Sequence, residues 1–138
     1  ATVRYLLTSL KSSLLNQIDD TVSAKDRLML IVEANFSVVQ KQSNVTKTWL
    51  SFWAQSMHDE QLHRLQTVNA KRLYSNLLYS FRTLLSIDEA KHAATLSAAM
   101  IDGLWLRAVL AKADESQFKQ AEGLAKSYIH TLIPHSQD

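Results

Sequence analysis

The chain has 138 residues, which suffices for one domain with a real core and is too few for two. Two glycines and one proline leave few tight turns, so we expect an all-helical fold. A net charge of +2 is far from the basic balance of a nucleic-acid-binding domain, and the absence of cysteine excludes disulfides and thiolate metal sites. With no secretory signal at Ala1–Leu15, the sequence predicts a cytoplasmic protein that does not span a membrane.

Helix starts are marked by capping residues. A serine or aspartate precedes a run of helical periodicity at four places: Ser23, Asp59, Ser86 and Asp114. The sequence predicts six helices, near 1–18, 24–41, 45–57, 60–85, 88–111 and 115–132. Because the connections are short, neighbouring helices should pack antiparallel, and 1–138 should form a single domain. The second helix should bury a stripe formed by Leu28, Ile31, Val32, Asn35 and Val39.

Two Glu-x-x-His pairs raise the alternative of a ferritin-like di-iron enzyme. The pairs are Glu60–His63 and Glu89–His92, and further carboxylates stand at Glu33 and Glu122. Ligands of that kind project from helix middles, whereas Glu60 and Glu89 fall in first turns, where the helix dipole favours acids. Glu33 lies off the apolar stripe and should face water. No nucleophile elbow or phosphate-binding loop is present, so we expect no catalytic residue, metal or cofactor.

The fifth predicted helix is unusually apolar and contains a glycine. Between Ala93 and Leu110 its only polar members are Thr95, Ser97, Asp102 and Arg107, which predicts burial nearly all round. Gly103, and Gly123 on the last helix, each cost about 1 kcal/mol relative to alanine. Close approach of another backbone would offset that cost. Composition favours neither packing within one subunit nor packing against a second copy.

Tryptophans and one carboxylate form a candidate ligand site. Trp49 and Trp53 are four residues apart on one helix face, and Trp105 and Asp102 are three apart on another helix. Indole faces and a carboxylate can hold a quaternary ammonium cation by cation–π attraction and charge. The commoner role of such tryptophans is core packing. A buried aspartate commonly pairs with an arginine or asparagine, here Arg72 or Asn76.

Four segments resemble the effector-sensing, dimer-forming half of TetR-type bacterial repressors. They are the tryptophan-rich run Thr48–His58, the segments Arg64–Gln66 and Arg72–Leu77, and the Asp-Gly-Leu-containing run Ala98–Leu110. The tryptophan-rich run is most similar to the branch that represses the choline to glycine betaine pathway, the BetI-type repressors. The resemblance extends from Ala1 to near Leu132.

The resemblance implies a regulatory domain that binds a small molecule and dimerises. Operator DNA would be bound only by a helix-turn-helix domain that would precede Ala1, and choline or a betaine precursor would release it. Our candidate ligand-binding residues are Trp49, Trp53, Trp105, Asp102 and Asn35, and the resemblance supports the three tryptophans among them. The last two helices would form a four-helix bundle with a second copy, through Ala94, Ala98, Gly103, Phe118, Ala121, Gly123, Ala125 and Tyr128. The alternatives are a TetR-type regulator of another pathway and a helical adaptor without a ligand.

Overall fold

The structure, a computed structural model, describes residues 22–40 and 43–134. Regular structure in these residues is helical and comprises α1 (Ala24–Gln40), α2 (Ser43–Ser56), α3 (Glu60–Phe81), α4 (Ile87–Leu110) and α5 (Glu115–Leu132). These elements confirm the all-α class and the last five predicted helices. The predicted helix over 1–18 lies outside the described residues.

The four predicted caps all form. Each cap side chain accepts a hydrogen bond from the backbone N–H three residues later, at 3.1, 3.1, 3.3 and 2.9 Å for Ser23, Asp59, Ser86 and Asp114. Gln117 completes a reciprocal capping box by accepting from the Asp114 backbone N–H at 2.8 Å. Each cap satisfies a donor that the helix cannot pair and typically stabilises by about 1 kcal/mol.

The third described helix ends at Phe81, four residues before the predicted end. The Thr83 hydroxyl donates to the Ser80 carbonyl at 2.9 Å, and the backbone N–H groups of Leu84 and Leu85 both donate to the Phe81 carbonyl at 2.9 Å. A threonine side chain that bonds the backbone in this way competes with the helical pattern. The chain therefore tightens into a turn before Ser86 caps α4.

The core lies around α1, which packs against each of the other four helices. Leu28, Ile31 and Val32 are buried as predicted, and Phe36 extends the buried face by one turn. Asn35 is half-buried. The side chain of Val39 lies outside the described residues. The same core includes large buried side chains from the four other described helices: Phe52, Leu77, Phe81, Ile101 and Ile129.

Two polar ties fix α1 to the rest of the bundle. Arg27 donates from Nη1 to the Asn76 carbonyl at 2.6 Å and to the Ser80 hydroxyl at 2.8 Å. Its Nη2 donates to Asn76 Oδ1 at 3.0 Å. Removal of water from this guanidinium lowers the pKa of Arg27. These bonds hold the first turn of α1 against the last turns of α3.

The second tie joins α1 to α5. Lys126 Nζ lies 2.6 Å from Glu33 Oε1 and 3.4 Å from Glu122 Oε2. The expectation that Glu33 faces water is therefore wrong, because the residue is half-buried against α5. Burial lowers the pKa of Lys126, but the hydrogen bond and charge of Glu33, together with Glu122, outweigh burial and leave the pKa above its ordinary value.

The most apolar helix, α4, is buried on one side only. Its inner face consists of Ala90, Ala93, Ala94, Ser97, Ile101 and Trp105. Only 33% of its most apolar 18-residue window is buried, so the prediction of burial nearly all round is wrong for one subunit. Neighbouring helices cover the inner side, while Leu96 and Leu110 remain 51% and 68% exposed. By length and composition alone α4 could cross a membrane, a test that core helices of soluble proteins also pass.

Candidate effector site and dimer face

Two of the predicted ligand-binding tryptophans meet between α2 and α4. The rings of Trp53 and Trp105 are in edge-to-face contact, with centroids 4.9 Å apart and planes at 63°. Trp49 lies one turn earlier on α2 and makes a second edge contact with Phe52, at 5.8 Å and 69°. Trp49 and Trp105 are 7% and 6% exposed. The structure therefore brings Trp53 and Trp105 together and places Trp49 beside them along α2.

The aromatic cluster contains buried polar atoms without a partner among the described residues. The indole N–H groups of all three tryptophans are buried, and none has an acceptor among the described residues. Ser97 Oγ and Gln66 Oε1 are likewise buried without a partner in that part of the chain. Buried polar groups are nearly always hydrogen-bonded in native proteins, and exceptions call for an explanation such as a ligand or an ordered water.

Sequence reasoning missed Ser97 and Gln66, although their spacing carries a signal. Ser97 stands four residues before Ile101 and eight before Trp105, on the inner stripe of α4. Gln66 stands four residues after Leu62, which packs against the core. A polar residue at an apolar stripe position is informative because burial without a partner is costly.

The structure does not bring Asp102 to the aromatic cluster. Asp102 is exposed, so the prediction that it is buried on the face of Trp105 is wrong. The inner stripe of α4 runs through Ile101 and Trp105, and one residue rotates the helix by about 100°, which carries Asp102 outward. Apolar atoms around the carboxyl still remove enough water to raise the pKa of Asp102 to about 6. Asn76, one of its expected partners, binds Arg27 instead.

Asn35 uses its amide within its own helix. Its Nδ2 donates to the Ile31 carbonyl at 2.8 Å, one turn earlier on α1. The side chain is half-buried, as its place at the edge of the apolar stripe requires. This bond leaves the Oδ1 acceptor and the second N–H of the amide as the groups that Asn35 could offer to a ligand.

The predicted dimer residues divide into two groups. The first group is buried inside the subunit, with exposures of 0%, 6%, 7% and 0% for Ala94, Phe118, Ala121 and Ala125. Their assignment to a dimer interface is therefore wrong, since they pack α4 and α5 within one chain. The second group stays at least partly accessible and consists of Ala98, Gly103, Gly123 and Tyr128.

Both glycines face away from their own subunit. A Cβ atom placed on Gly103 or Gly123 would meet nothing within 4 Å. Packing within the chain therefore gives no reason for glycine at either position. Nearby on the same outer side of each helix lie leucines that are 51% and 60% exposed, Leu96 on α4 and Leu124 on α5.

The two glutamates of the Glu-x-x-His pairs make other interactions. Glu89 accepts from the Ser86 hydroxyl at 3.0 Å in the cap of α4, and Glu60 lies 3.6 Å from Arg64 on the helix surface. Within 22–40 and 43–134, no three His, Asp or Glu side chains are grouped closely enough to share a metal ion. His58 and His63 line an open depression of about 380 Å³ over the α2–α3 turn.

Comparison with known proteins identifies the family. Residues 24–134 match the family described as BetI-type transcriptional repressor, C-terminal. The chain is 44% identical over 140 aligned positions to the HTH-type transcriptional regulator BetI of Pectobacterium atrosepticum, covering 99% of this chain and 70% of that protein. It is 45% identical to the protein of the same name from Paraburkholderia phymatum, covering 99% of this chain and 69% of that one.

Solved structures agree at the level of the fold. A TetR transcription regulator from Haloarcula marismortui superposes with a TM-score of 0.81 at 21% identity, covering 96% of this chain and 75% of that one. A transcriptional regulator from Rhodococcus sp. Rha1 gives a TM-score of 0.77 at 16% identity, covering 98% and 72%. TetR-type regulators are not enzymes; they act as dimers that bind operator DNA and small-molecule effectors. This chain belongs to the BetI-type transcriptional repressors of the TetR class, and residues 24–134 correspond to their C-terminal domain.

Proposed function

We propose that this domain senses choline or a close relative, such as betaine aldehyde, for a repressor of the choline to glycine betaine genes. The observation that carries the proposal is the contact between the half-buried Trp53 and the buried Trp105, which joins two indole rings from different helices. Indole has the strongest cation–π attraction of the aromatic side chains, and quaternary ammonium groups depend on that attraction because they cannot donate a conventional hydrogen bond. Membership of the BetI-type branch supports the same ligand class.

The geometry of the pair implies that ligand binding moves helices. Methyl groups held between two ring faces need about 3.5–4.0 Å to each ring. The centroids of Trp53 and Trp105, now 4.9 Å apart, would have to separate to admit a trimethylammonium group. The effector would thus favour an arrangement in which α2 and α4 lie farther apart. Because α1 packs against both helices, the change would reach α1, which Arg27 also ties to α3.

Dimerisation would use the outer faces of α4 and α5. Gly103 and Gly123 have nothing within 4 Å of a Cβ position, and Leu96 and Leu124 are more than half exposed. A partner copy of the same two helices would cover these residues, and the glycines would let the backbones approach closely. Asp102 would then lie at the dimer face instead of in the ligand site.

Operator recognition would belong to a helix-turn-helix domain of the same repressor, as the names of the BetI relatives suggest. Residues 1–138 would supply sensing and dimerisation, and effector binding would change the spacing of the two DNA-binding domains. Such a regulator works in the cytoplasm, where it meets both the operator and the effector.

Calorimetry and tryptophan fluorescence with choline, betaine aldehyde and glycine betaine test the proposal. We expect saturable binding of at least one compound, with a fluorescence change because all three tryptophans of the chain lie in the cluster. Trp53→Ala should abolish binding while circular dichroism stays helical. Met57→Ala is the matched control. Met57 follows Trp53 by one turn and is 74% exposed, so this variant should bind as the parent does. Silence in both measurements with all three compounds would assign the domain to another effector.

A further inference from the structure

Two arginines share one tyrosine ring where the start of α1 meets the end of α3. The guanidinium carbon of Arg27 lies 4.8 Å from the centroid of the Tyr79 ring, and that of Arg82 lies 5.2 Å from the same centroid. Like charges repel, and the ring holds both cations close through cation–π attraction. Tyr79 is 55% exposed, so the group is open to solvent. It is separate from the aromatic cluster, whose indole rings belong to α2 and α4.

Neither arginine is paired with a carboxylate among the described residues. The three hydrogen bonds of Arg27 end on neutral acceptors of Asn76 and Ser80, which leaves its Nε and one Nη2 donor for another partner. The side chain of Arg82 contacts the Tyr79 ring and takes part in no ion pair of the described residues. Removal of water by burial lowers the pKa of Arg27, and an influence from Tyr79, with none from an acid, opposes it.

Positive charge is in excess along this side of α3. Positions 61–87 contain four arginines and lysines but no aspartate or glutamate. Arg72 is exposed and stands two turns before Tyr79, on the same side of the helix. The carboxylates nearest in sequence to the two arginines, Asp26 and Asp88, are exposed and pair with neither of them in the described part of the chain. The carbonyl end of α3 supplies only about half a negative charge, which does not balance two guanidinium groups.

We infer that Arg27 and Arg82 form a second binding site, which takes a small oxyanion of the phosphate monoester class beside Tyr79. Two guanidinium groups match the charge of such a group, about −1.5 to −2 at neutral pH. Arginine is suited to the task because its planar fork donates paired hydrogen bonds to phosphate oxygens. Both guanidinium carbons lie over one ring and are at most about 10 Å apart, and the exposed side chain of Arg82 can rotate toward an anion held by Arg27.

The bound anion would connect two helices of the bundle. Arg27 belongs to the first turn of α1, and Arg82 is the residue that caps the end of α3. An anion between them would add a bridge beside the existing hydrogen bonds from Arg27 to Asn76 and Ser80. Since the two arginines meet only in the folded chain, the anion would stabilise the folded state. The site does not rest on the proposed function, because it lies on other helices and takes a ligand of opposite charge.

Calorimetry with inorganic phosphate and glycerol 3-phosphate on residues 1–138 tests the site, at an ionic strength held constant with sodium chloride. We expect saturable binding of both compounds and at least tenfold weaker binding to the Arg82→Gln variant. Arg82 is exposed, so this variant should keep the helical circular dichroism of the parent. The absence of saturable binding to the parent would overturn the inference.

Arg64→Gln is the matched control for the loss of charge. Arg64 is also exposed and on α3, but it pairs with Glu60 and lies 18 residues, about 27 Å, before Arg82 along the helix. This variant should bind phosphate within about twofold of the parent. Equal weakening by Arg64→Gln and Arg82→Gln would show that the anion responds to the overall charge of the protein and would overturn the site.

A phosphate diester separates the small dianion from nucleic acid and lipid. Dimethyl phosphate carries one negative charge, as the phosphates of DNA and phospholipids do, and leaves one guanidinium unbalanced. We expect it to bind at least tenfold more weakly than glycerol 3-phosphate. Equal or tighter binding of the diester would overturn the assignment to a monoester and indicate a nucleic acid or lipid surface instead.

Thermal denaturation gives a second readout that does not depend on heats of binding. Phosphate stabilises proteins in general because it is excluded from their surfaces, so the informative quantity is the difference between parent and variant. Phosphate should raise the Tm of the parent and of Arg64→Gln by the same amount, and that of Arg82→Gln by less. Equal rises in all three proteins would contradict binding at Arg82.

Discussion

The indole ring of Trp53 meets the ring of Trp105 edge to face, at 4.9 Å between centroids, and this contact joins α2 to α4. Otherwise α2 packs mainly against α3 and α1, and α4 packs mainly against α3 and α5, so the ring pair is a direct link between α2 and α4. Edge-to-face pairs are favoured because the positive edge of one ring lies against the negative face of the other. A ligand that binds an indole face competes with this link, which connects sensing to the packing of the bundle.

A double-mutant cycle should detect the link in the unliganded protein. Trp53→Leu and Trp105→Leu each remove a ring, and we expect a coupling free energy of about 1 kcal/mol between them, within the range measured for aromatic pairs. Chemical denaturation of the single and double variants measures it. Trp49→Leu with Trp105→Leu is the control cycle, because the ring contact of Trp49 is with Phe52. Coupling within about 0.3 kcal/mol of zero for Trp53 and Trp105 would show that the ring contact is incidental to packing.

Arg27→Met should destabilise the domain by about 2 kcal/mol. The substitution keeps an unbranched stem but removes three hydrogen bonds from a charged donor to Asn76 and Ser80, and bonds of that type contribute about 1.5–3 kcal/mol. Urea denaturation measures the loss. Arg82→Met is the matched control, since the guanidinium of Arg82 is exposed and lies 5.2 Å from the Tyr79 ring centroid, an interaction of about 0.5 kcal/mol at the surface. Equal losses of unfolding free energy for the two variants would contradict a stabilising role for the Arg27 hydrogen bonds.

Helices and caps were predictable because their signals are local. Ser86 and Asp114 each act on a backbone N–H three residues away, so the sequence contains both partners within one turn. The end of α3 was placed too late because the turn made by Thr83 competes with a helical pattern that continues to Leu85. Local spacing could not predict the hydrogen bonds between Arg27 and Asn76, because these residues are 49 positions apart in the sequence.

The orientation of each helix was harder to predict than its position. Small residues on α4 and α5 serve two faces, and Ala94 and Ala125 pack inward whereas Gly103 and Gly123 face outward. Inward-packing and outward-facing small residues look alike in the sequence. Only the positions of the neighbouring helices distinguish them. For the same reason Asp102 was assigned to the face of Trp105: a spacing of three residues allows a shared face but does not fix which side meets the core.

Lys112→Gly should stabilise the domain by up to about 1 kcal/mol. Lys112 has φ of 54°, in the left-handed region that glycine adopts without steric cost. It follows α4, where the Ala113 N–H donates to the Ala108 carbonyl at 2.9 Å, the hydrogen bond of a helix-ending motif that favours glycine. Thermal denaturation at fixed protein concentration measures the change. Lys112→Ala should not raise the thermal stability, since alanine retains the Cβ atom. A stabilised alanine variant would show that loss of the lysine charge, and not the backbone conformation, causes the effect.

Asp102→Asn should stabilise the protein at neutral pH and remove a pH dependence. The pKa of Asp102 is raised to about 6 in the folded state by removal of water, so the folded state holds this proton more tightly than the unfolded chain does. Stability of the parent should therefore fall as pH rises from about 4 to about 6 and stay lower above that range, and burial at a dimer face would enlarge the effect. Unfolding free energies at pH 4.5 and 7.5 measure it. An advantage of the asparagine variant that is the same at both pH values would contradict a titrating Asp102.

Gly103→Ala and Gly123→Ala should have opposite effects on the subunit and on the dimer. Alanine meets nothing within 4 Å at either position and is favoured over glycine in a helix by about 1 kcal/mol, so each variant should stabilise the isolated subunit. If the partner's backbone approaches these positions, the added methyl groups should weaken association by about tenfold or more, which sedimentation equilibrium measures.

Ser51→Ala, on the exposed face of α2, is the control that gains helix propensity without touching the dimer face. Because ligand and partner both shift apparent stability, the comparison belongs at one protein concentration without effector. Unchanged or tighter association of both glycine variants would move the dimer face away from this side of α4 and α5.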